Sequence, residues 1–151
     1  DIAQCLVGSE MCIRDRFCSY LREAGIQLPS EHIINLTGQN MEDILKMLKK
    51  APHPVTGIFT TADNCAFEIY GAAYRLGYRI PEDFSVIGFD DNSMSRRAIP
   101  PLTTIRQDIC QKAQLACQML MKKIEDAKSP AENIILDVDL IERESVLDLS
   151  L

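Results

Sequence analysis

Two adjacent carboxylates, Asp90 and Asp91, directly follow an apolar run at residues 84–89 that reads FSVIGF. Clustered carboxylate oxygens are the ligands that hard cations prefer, so the pair would suit a magnesium site of the kind used by phosphoacceptor domains. Such a domain also needs an aspartate on a neighbouring strand and a lysine at a later strand end, whereas the later strand here ends in Arg106 and Gln107. The alternative is loop capping, because aspartate side chains accept hydrogen bonds from nearby backbone amides.

The common signatures of catalysis and of nucleotide binding are missing from the sequence. No GxGxxG, P-loop, GxSxG or HExxH motif occurs. Six cysteines are irregularly spaced without a CxxC pair, and His32 and His53 are the only histidines. This spacing favours neither a zinc site nor a Cys–His nucleophile. The sequence therefore predicts a protein that is not an enzyme and that needs no metal or cofactor.

Polar side chains at the ends of predicted strands can instead form a binding pocket for a small molecule. Asp63, Asp90 and Gln107 all fall at such ends, and ligands of open α/β proteins bind at the carboxyl ends of the strands. A pocket of this kind needs only a few donors and acceptors on apolar walls, which Asp90 and Gln107 can provide. A carboxylate suits the paired hydroxyls of a sugar. Asp63 is at least as good a candidate for capping the following helix.

Strands that alternate with helices position these side chains. Helices are predicted from residue 17 to Gly25 and at residues 41–50, 64–76 and 109–126, because apolar residues recur there at helical spacing. Strands are predicted at residues 32–36, 55–61, 84–89 and 102–106 and in runs within 133–146. Asn40 and Asp108 are placed to cap helices, and Gly77 to end one. The alternation predicts an α/β fold, with a mainly parallel sheet and helices on both faces.

The composition of the 151-residue chain excludes several classes of protein. With 46% hydrophobic and 25% charged residues it is not a disordered chain. It also lacks the run of about 20 apolar residues that a membrane-spanning helix needs. Its net charge of −6 supplies no basic surface for nucleic acid. The first residues do not resemble a signal peptide, which predicts a cytoplasmic protein.

Residues 5–16 read CLVGSEMCIRDR, a string without clear periodicity or a helix cap that does not fit the pattern that follows. The string resembles the translated sequencing-adapter reads that contaminate some assembled genomes. We therefore expect residues 1–16 to be a non-native leader and the genuine protein to begin at Phe17. The alternative is a native but irregular leader.

Three longer stretches together resemble a known family. Residues 55–91 read VTGIFTTADNCAFEIYGAAYRLGYRIPEDFSVIGFDD, residues 99–108 read IPPLTTIRQD, and residues 140–146 read LIERESV. Their order and spacing resemble the effector-binding domain of the LacI/GalR family of bacterial transcription regulators, over residues 17–151. The resemblance implies a type I periplasmic-binding-protein-like fold, in which two lobes hinge around a ligand cleft. Residues 17–151 would be the carboxyl-terminal part of that domain, without the DNA-binding headpiece and most of the first lobe.

The resemblance also implies roles for individual residues. Asp90 matches the family aspartate that accepts hydrogen bonds from the effector, and Gln107 matches a residue of the cleft. Asp63 matches the aspartate of the family's AND motif. Ala62 stands where many members have an asparagine that contacts the effector, so one polar contact would be lost. Ile109 would add an apolar wall.

An aromatic stripe runs along the predicted helix at residues 64–76. Phe67, Tyr70 and Tyr74 lie at i, i+3 and i+7 beside the core stripe. Family members dimerise through this region, so the resemblance implies a dimer interface; the alternative is ordinary, partly exposed aromatics. By the same analogy, the helix at 109–126 would pack on the missing lobe, which would leave its apolar stripe exposed in this chain.

These expectations combine into one function. The sequence predicts the small-molecule-sensing and dimerisation module of a LacI/GalR-type repressor, with a sugar as the expected effector. The effector would bridge the two lobes and shift their relative positions. Operator DNA would be contacted only by the missing headpiece, and no membrane partner is expected. The alternative is a periplasmic sugar-binding protein of the same fold, which an upstream signal peptide would reveal.

Overall fold

The computed structural model describes residues 2–3, 10–35, 40–130 and 132–148. Strands and helices alternate along most of the chain, as the hydrophobic pattern predicts. In chain order they are β1 (Ile2–Ala3), α1 (Glu10–Glu23), a 3₁₀ turn (Ser30–His32), α2 (Met41–Lys50), β2 (Gly57–Phe59), α3 (Asp63–Leu76), β3 (Ser85–Phe89), β4 (Thr103–Gln107), α4 (Ile109–Glu125) and β5 (Val138–Ile141).

The strands form one sheet in the order β1-β2-β3-β4-β5. β1 to β4 run parallel to one another, and β5 runs antiparallel to β4 at the edge. Because the parallel strands follow one another in space as they do in sequence, their carboxyl ends all open at the same edge of the sheet. The predicted α/β fold with a mainly parallel sheet is confirmed.

Helices cover both faces of this sheet. On one face, α2 and α3 pack on β2 and β3 around a core whose largest fully buried members are Phe84, Leu45, Leu48, Leu102, Val55 and Val86. On the other face, α1 places the ring of Phe17 parallel to that of Phe59, with the ring centroids 4.5 Å apart. Successive residues of a strand point to opposite faces, which is why Ile58 joins the core under α2 and α3 while Phe59 faces α1.

Local signals set most helix ends. The side chain of Asn40 accepts a hydrogen bond from the Glu42 amide at 2.9 Å and so begins α2 as predicted. Gly25 and Gly77 adopt φ angles of 77° and 73° directly after α1 and α3. Both helices then close with the paired amide-to-carbonyl hydrogen bonds that a left-handed residue allows.

Several predicted elements differ in the structure. The predicted strand at residues 32–36 is not a strand in its described part, residues 32–35: His32 ends the 3₁₀ turn and only Ile33 makes an isolated bridge. A short apolar run does not by itself distinguish a strand from other buried backbone. Within the predicted strand runs at 133–146, only Val138–Ile141 forms a strand.

The string at residues 5–16 falls partly outside the described residues, which omit 4–9. Its remaining part does not behave as an irregular segment, because α1 runs without a break from Glu10 through Arg16 and Phe17 to Glu23. The expectation that this string fits nothing that follows is therefore wrong for residues 10–16. That residues 1–16 are a non-native leader stays a prediction.

Candidate functional site

The carboxyl ends of β3 and β4 bring Asp90 and Gln107 together. The Gln107 side-chain amide donates from Nε2 to Asp90 Oδ1 at 2.8 Å, and Gln107 Oε1 accepts from Lys112 Nζ at 3.2 Å. Both Asp90 and Gln107 are half-buried. The pair therefore presents a carboxylate and an amide side by side at the end of the sheet, the combination of acceptor and donor that a polyhydroxylated ligand requires.

The backbone at Asp90 and Asp91 is strained. Their φ angles are 115° and 50°, in the region that residues other than glycine rarely adopt, at a cost on the order of 1–3 kcal/mol each. Three hydrogen bonds hold this turn: the Asp90 amide donates to the Ile105 carbonyl, the Asp91 amide to Thr104 Oγ1, and the Asn92 amide to Asp63 Oδ2. Strain of this kind is typical of a site where a side chain must point in one particular direction.

Asp63 lies inside the lobe and not at its surface. Its side chain is fully buried and accepts hydrogen bonds from Thr104 Oγ1 and Ser95 Oγ, both at 2.6 Å, and from the Asn92 amide at 2.8 Å. The prediction that Asp63 is the N-cap residue of α3 is wrong, because the helix begins at Asp63 and the capping position belongs to Ala62. Its carboxylate instead ties the loop after β3 to β4 and to the start of α3.

Asp91 has a different environment from its neighbour Asp90. Its side chain is 3% exposed, and its two oxygens accept from Arg143 Nη2 at 2.5 Å and from Arg106 Nε at 2.7 Å. Burial alone would raise the pKa of Asp91, but the hydrogen bonds from Arg143 and Arg106 outweigh it and hold the pKa below its ordinary value. Both oxygens are thus engaged by guanidinium groups, which disfavours the magnesium site that the Asp90–Asp91 pair could have formed. From the sequence, Asp91 was assigned only to a magnesium site shared with Asp90 or to loop capping. The ion pair with Arg143 was not predicted, because Arg143 is far away in the chain.

An open cavity of about 730 Å³ lies between α1 and the ends of the strands. Its walls are mainly apolar and aromatic; they are Ile13, Arg16, Phe17, Tyr20, Glu23, Phe59, Phe89, Ile105 and Val138. Phe89 directly precedes Asp90, and Ile105 stands two residues before Gln107 on the same strand. The cavity and the Asp90–Gln107 pair therefore occupy the same end of the sheet. The sequence analysis missed the wall residues, although an aromatic at the last position of each of β2 and β3 is a signal that could have found them.

The remaining predicted site residues flank this region. Ala62 is half-buried between β2 and α3, where it exposes only a methyl group. Ile109 begins α4 and is 60% exposed, and Asp108 caps that helix as predicted by accepting from the Gln111 amide at 2.8 Å. Gln107 also lines a smaller cavity of about 240 Å³ together with Asp108 and Lys112.

The aromatic stripe on α3 divides into two parts. Phe67 and Tyr70 are half-buried and pack against the core, and burial raises the pKa of Tyr70 to about 12. Tyr74 is 86% exposed. Phe67 and Tyr70 are thus partly exposed aromatics beside the core, and of the three only Tyr74 projects fully from the helix. Their role in a dimer interface stays a prediction.

α4 has no buried residue. The apolar side chains of Ile109, Leu120, Met121 and Ile124 are all at least half exposed, as the sequence predicts for a helix whose packing partner is missing. No helix in the described part of the chain is long and apolar enough to cross a membrane.

Comparison with known proteins decides the family. The model of the periplasmic-binding-protein-like domain matches residues 9–146, which is most of the chain. The chain belongs to the LacI/GalR family. Among curated LacI/GalR relatives, the probable transcriptional repressor ExuR of Bacillus subtilis is 32% identical over 127 residues, which cover 82% of this chain and 38% of the relative.

Solved structures of LacI-family regulators share the fold. A putative LacI regulator from Bacillus cereus subsp. cytotoxis superposes with a TM-score of 0.84 at 30% identity, covering 97% of this chain and 54% of that one. A regulator from Enterococcus faecalis, solved with bound ribose, has a TM-score of 0.80 at 30% identity, covering 99% of this chain and 55% of that one. This chain therefore corresponds to about half of these LacI-family structures, and to less than half of ExuR.

Proposed function

We propose that this chain is the carboxyl-terminal part of the effector-sensing and dimerisation domain of a LacI/GalR-type transcriptional repressor. The observation that carries the proposal is the Asp90–Gln107 pair beside a mainly apolar cavity at the carboxyl ends of the strands. The relatives that match the chain are repressors and not enzymes, which supports regulation over solute capture. A cytoplasmic location and operator binding through a headpiece outside this chain belong to the same proposal.

The proposed effector is a small sugar. A carboxylate that accepts and an amide that donates can bracket neighbouring hydroxyls, while the rings of Phe17, Phe59 and Phe89 provide an apolar surface for the face of a sugar ring. The ribose bound to the Enterococcus faecalis regulator supports this class of ligand. Asp90 and Gln107 would supply the polar contacts to the sugar. Ala62 and Ile109 would form apolar walls of the pocket. Asp63, which we also expected at the effector, would act from inside the lobe by holding the turn that carries Asp90.

The proposal predicts that Asp90→Asn weakens sugar binding by the full-length repressor. A hydrogen bond to a charged group contributes roughly 1.5–3 kcal/mol, so Kd should rise at least about tenfold. Isothermal titration with ribose and a panel of other pentoses and hexoses measures the change. Asp43→Asn is the matched control, because Asp43 is an exposed carboxylate on α2 that lines neither the 730 Å³ nor the 240 Å³ cavity. Equal affinities for Asp90→Asn and the unaltered protein, or no binding of any sugar in the panel, would contradict the proposed effector class.

A further inference from the structure

Residues 108–137 stand apart from the body of the lobe. None of the described residues in this span, 108–130 and 132–137, is buried. The span is held together by its own contacts, such as the ion pair between Lys122 and Glu132. Along the chain, β4 leads into the segment and β5 leads out of it. We call residues 108–137 the outlying segment and the β4–β5 pair the neck.

Backbone pairing supports β5, the second strand of the neck, from one side only. β5 lies at the edge of the sheet and pairs only with β4, from Thr104 opposite Ile141 to Gln107 opposite Val138. Its side chains are almost all exposed. β4 is paired with β3 on its other side only from Thr103 to Ile105. Beyond Ile105 the neck is a two-stranded ribbon with one exposed strand, and contacts at its base therefore help to set its direction.

One carboxylate makes those contacts to both strands. Asp91 accepts from Arg106, which belongs to β4, and from Arg143, which lies two residues after β5. Arg143 also donates from Nη1 to the Leu102 carbonyl at 2.7 Å, just before β4, and its amide donates to Thr103 Oγ1. The side chains of Asp91 and Arg143 are only 3% and 12% exposed, so solvent screens this ion pair less than it screens a surface pair.

We propose that Asp91 is the positioning residue of the neck and fixes the direction in which the outlying segment leaves the lobe. Asp90 and Asp91 are adjacent in one strained turn. A ligand that moves Asp90 therefore moves the anchor of both neck strands. That last link to an effector rests on the proposed function, whereas the role of Asp91 in the neck does not.

Hydrogen–deuterium exchange of the 151-residue chain, without any ligand, tests the positioning role. Asp91→Asn keeps the shape of the side chain and removes its charge. We expect amide exchange within residues 103–107 and 138–143 to become about tenfold faster, while exchange in the core half of α3 stays unchanged. Asp83→Asn is the control, since Asp83 pairs with Lys49 and Arg79 away from the neck; it should leave neck exchange unchanged.

Variants that change one of the two arginines at a time distinguish a positioning role of Asp91 from a general effect on stability. Arg106→Gln should accelerate exchange mainly in β4, Arg143→Gln mainly in β5 and the residues after it, and Arg143→Lys should restore part of the protection. If Asp91→Asn does not fold, these arginine variants still test the positioning role of Asp91. Neck exchange that stays at the unaltered rate in these variants, or that rises equally in the neck and in α3, would overturn the proposal. Because no ligand is present, a failure of sugar binding leaves this result intact.

Discussion

The carboxylate of Asp63 depends on the absence of a side chain at Gly88. A Cβ atom at Gly88 would lie 2.2 Å from Asp63 Oδ1 and 2.8 Å from Leu102 Cδ2. Asp63 cannot move away cheaply, because Thr104, Ser95 and the Asn92 amide all hold it. An unpaired carboxylate in this buried position would be costly. The glycine is therefore a packing requirement of the turn that carries Asp90.

We expect Gly88→Ala to lower the free energy of unfolding by at least about 1–3 kcal/mol, the usual cost of overpacking a well-filled core. Urea denaturation of the chain measures the change. Gly71→Ala is the matched control: in the interior of α3 its Cβ would meet only the far end of Arg75 at 3.3 Å, and alanine is favoured over glycine there by about 1 kcal/mol. A Gly88→Ala variant as stable as the unaltered chain would show that the Asp63 cluster is not tightly packed.

For individual residues, contacts between positions close in the chain could be predicted from the sequence, whereas contacts between distant positions could not. The cap at Asn40 acts across two residues and can be recognised from residue type alone. The partners of Asp63 at Ser95 and Thr104 are 32 and 41 residues away. No local pattern marks those residues, so the sequence analysis assigned Asp63 to a cap or to the ligand. The pairing of Asp90 with Gln107 was predictable because both stand at the ends of predicted parallel strands.

At the scale of elements, α3 has one face in the core and one exposed edge. Ala66, Ile69 and Ala73 are buried, whereas Tyr74, beside this buried stripe, is 86% exposed. An exposed tyrosine on a helix is the type of side chain that contributes most to protein interfaces, since it buries a large ring while its hydroxyl finds a polar partner. From the resemblance to dimeric repressors we propose that this part of α3 belongs to a dimer interface.

We expect Tyr74→Glu to raise the dimer dissociation constant of the full-length repressor at least about tenfold, because an unpaired charge would be buried at the interface. Sedimentation equilibrium measures the constant. Tyr20→Glu is the control, as Tyr20 is a similarly exposed tyrosine, 69%, on α1 at the other face of the sheet. Unchanged self-association of Tyr74→Glu would remove α3 from the dimer interface.

The element boundaries show which sequence patterns are reliable. The amphipathic helices α2, α3 and α4 were predicted to within about a residue, because a stripe at helical spacing extends over several turns. The short apolar run at residues 32–36 was assigned to a strand, but its described part is a turn and an isolated bridge. Whether such a run becomes a strand depends on a neighbour to pair with, which a single sequence does not reveal.

At the scale of the whole molecule, the chain corresponds to part of a longer protein in its relatives, covering 38% of ExuR. The family match begins at residue 9 and α1 begins at Glu10, so helix and family pattern both extend into the string at residues 5–16.

An independent long sequencing read across the codons of Arg16 and Phe17 tests the proposed leader. We expect a headpiece and a first lobe joined in frame to Phe17, without the string CLVGSEMCIRDR. The same string in frame in an independent read would show that residues 1–16 are native. A signal peptide upstream of Phe17 would instead identify a periplasmic sugar-binding protein.

The pairing of Gln107 with Val138 has a consequence for protein engineering. The two residues face each other at the tip of antiparallel strands, and a two-residue turn is enough to join such strands. In topological terms, the outlying segment is an insertion at the tip of a β-hairpin. Replacing it with a tight turn would leave each strand with its present neighbours and Asp91 with both of its arginines. The exposed apolar stripe of α4 would be removed in the same step, and with it a surface that favours aggregation of an isolated half-domain.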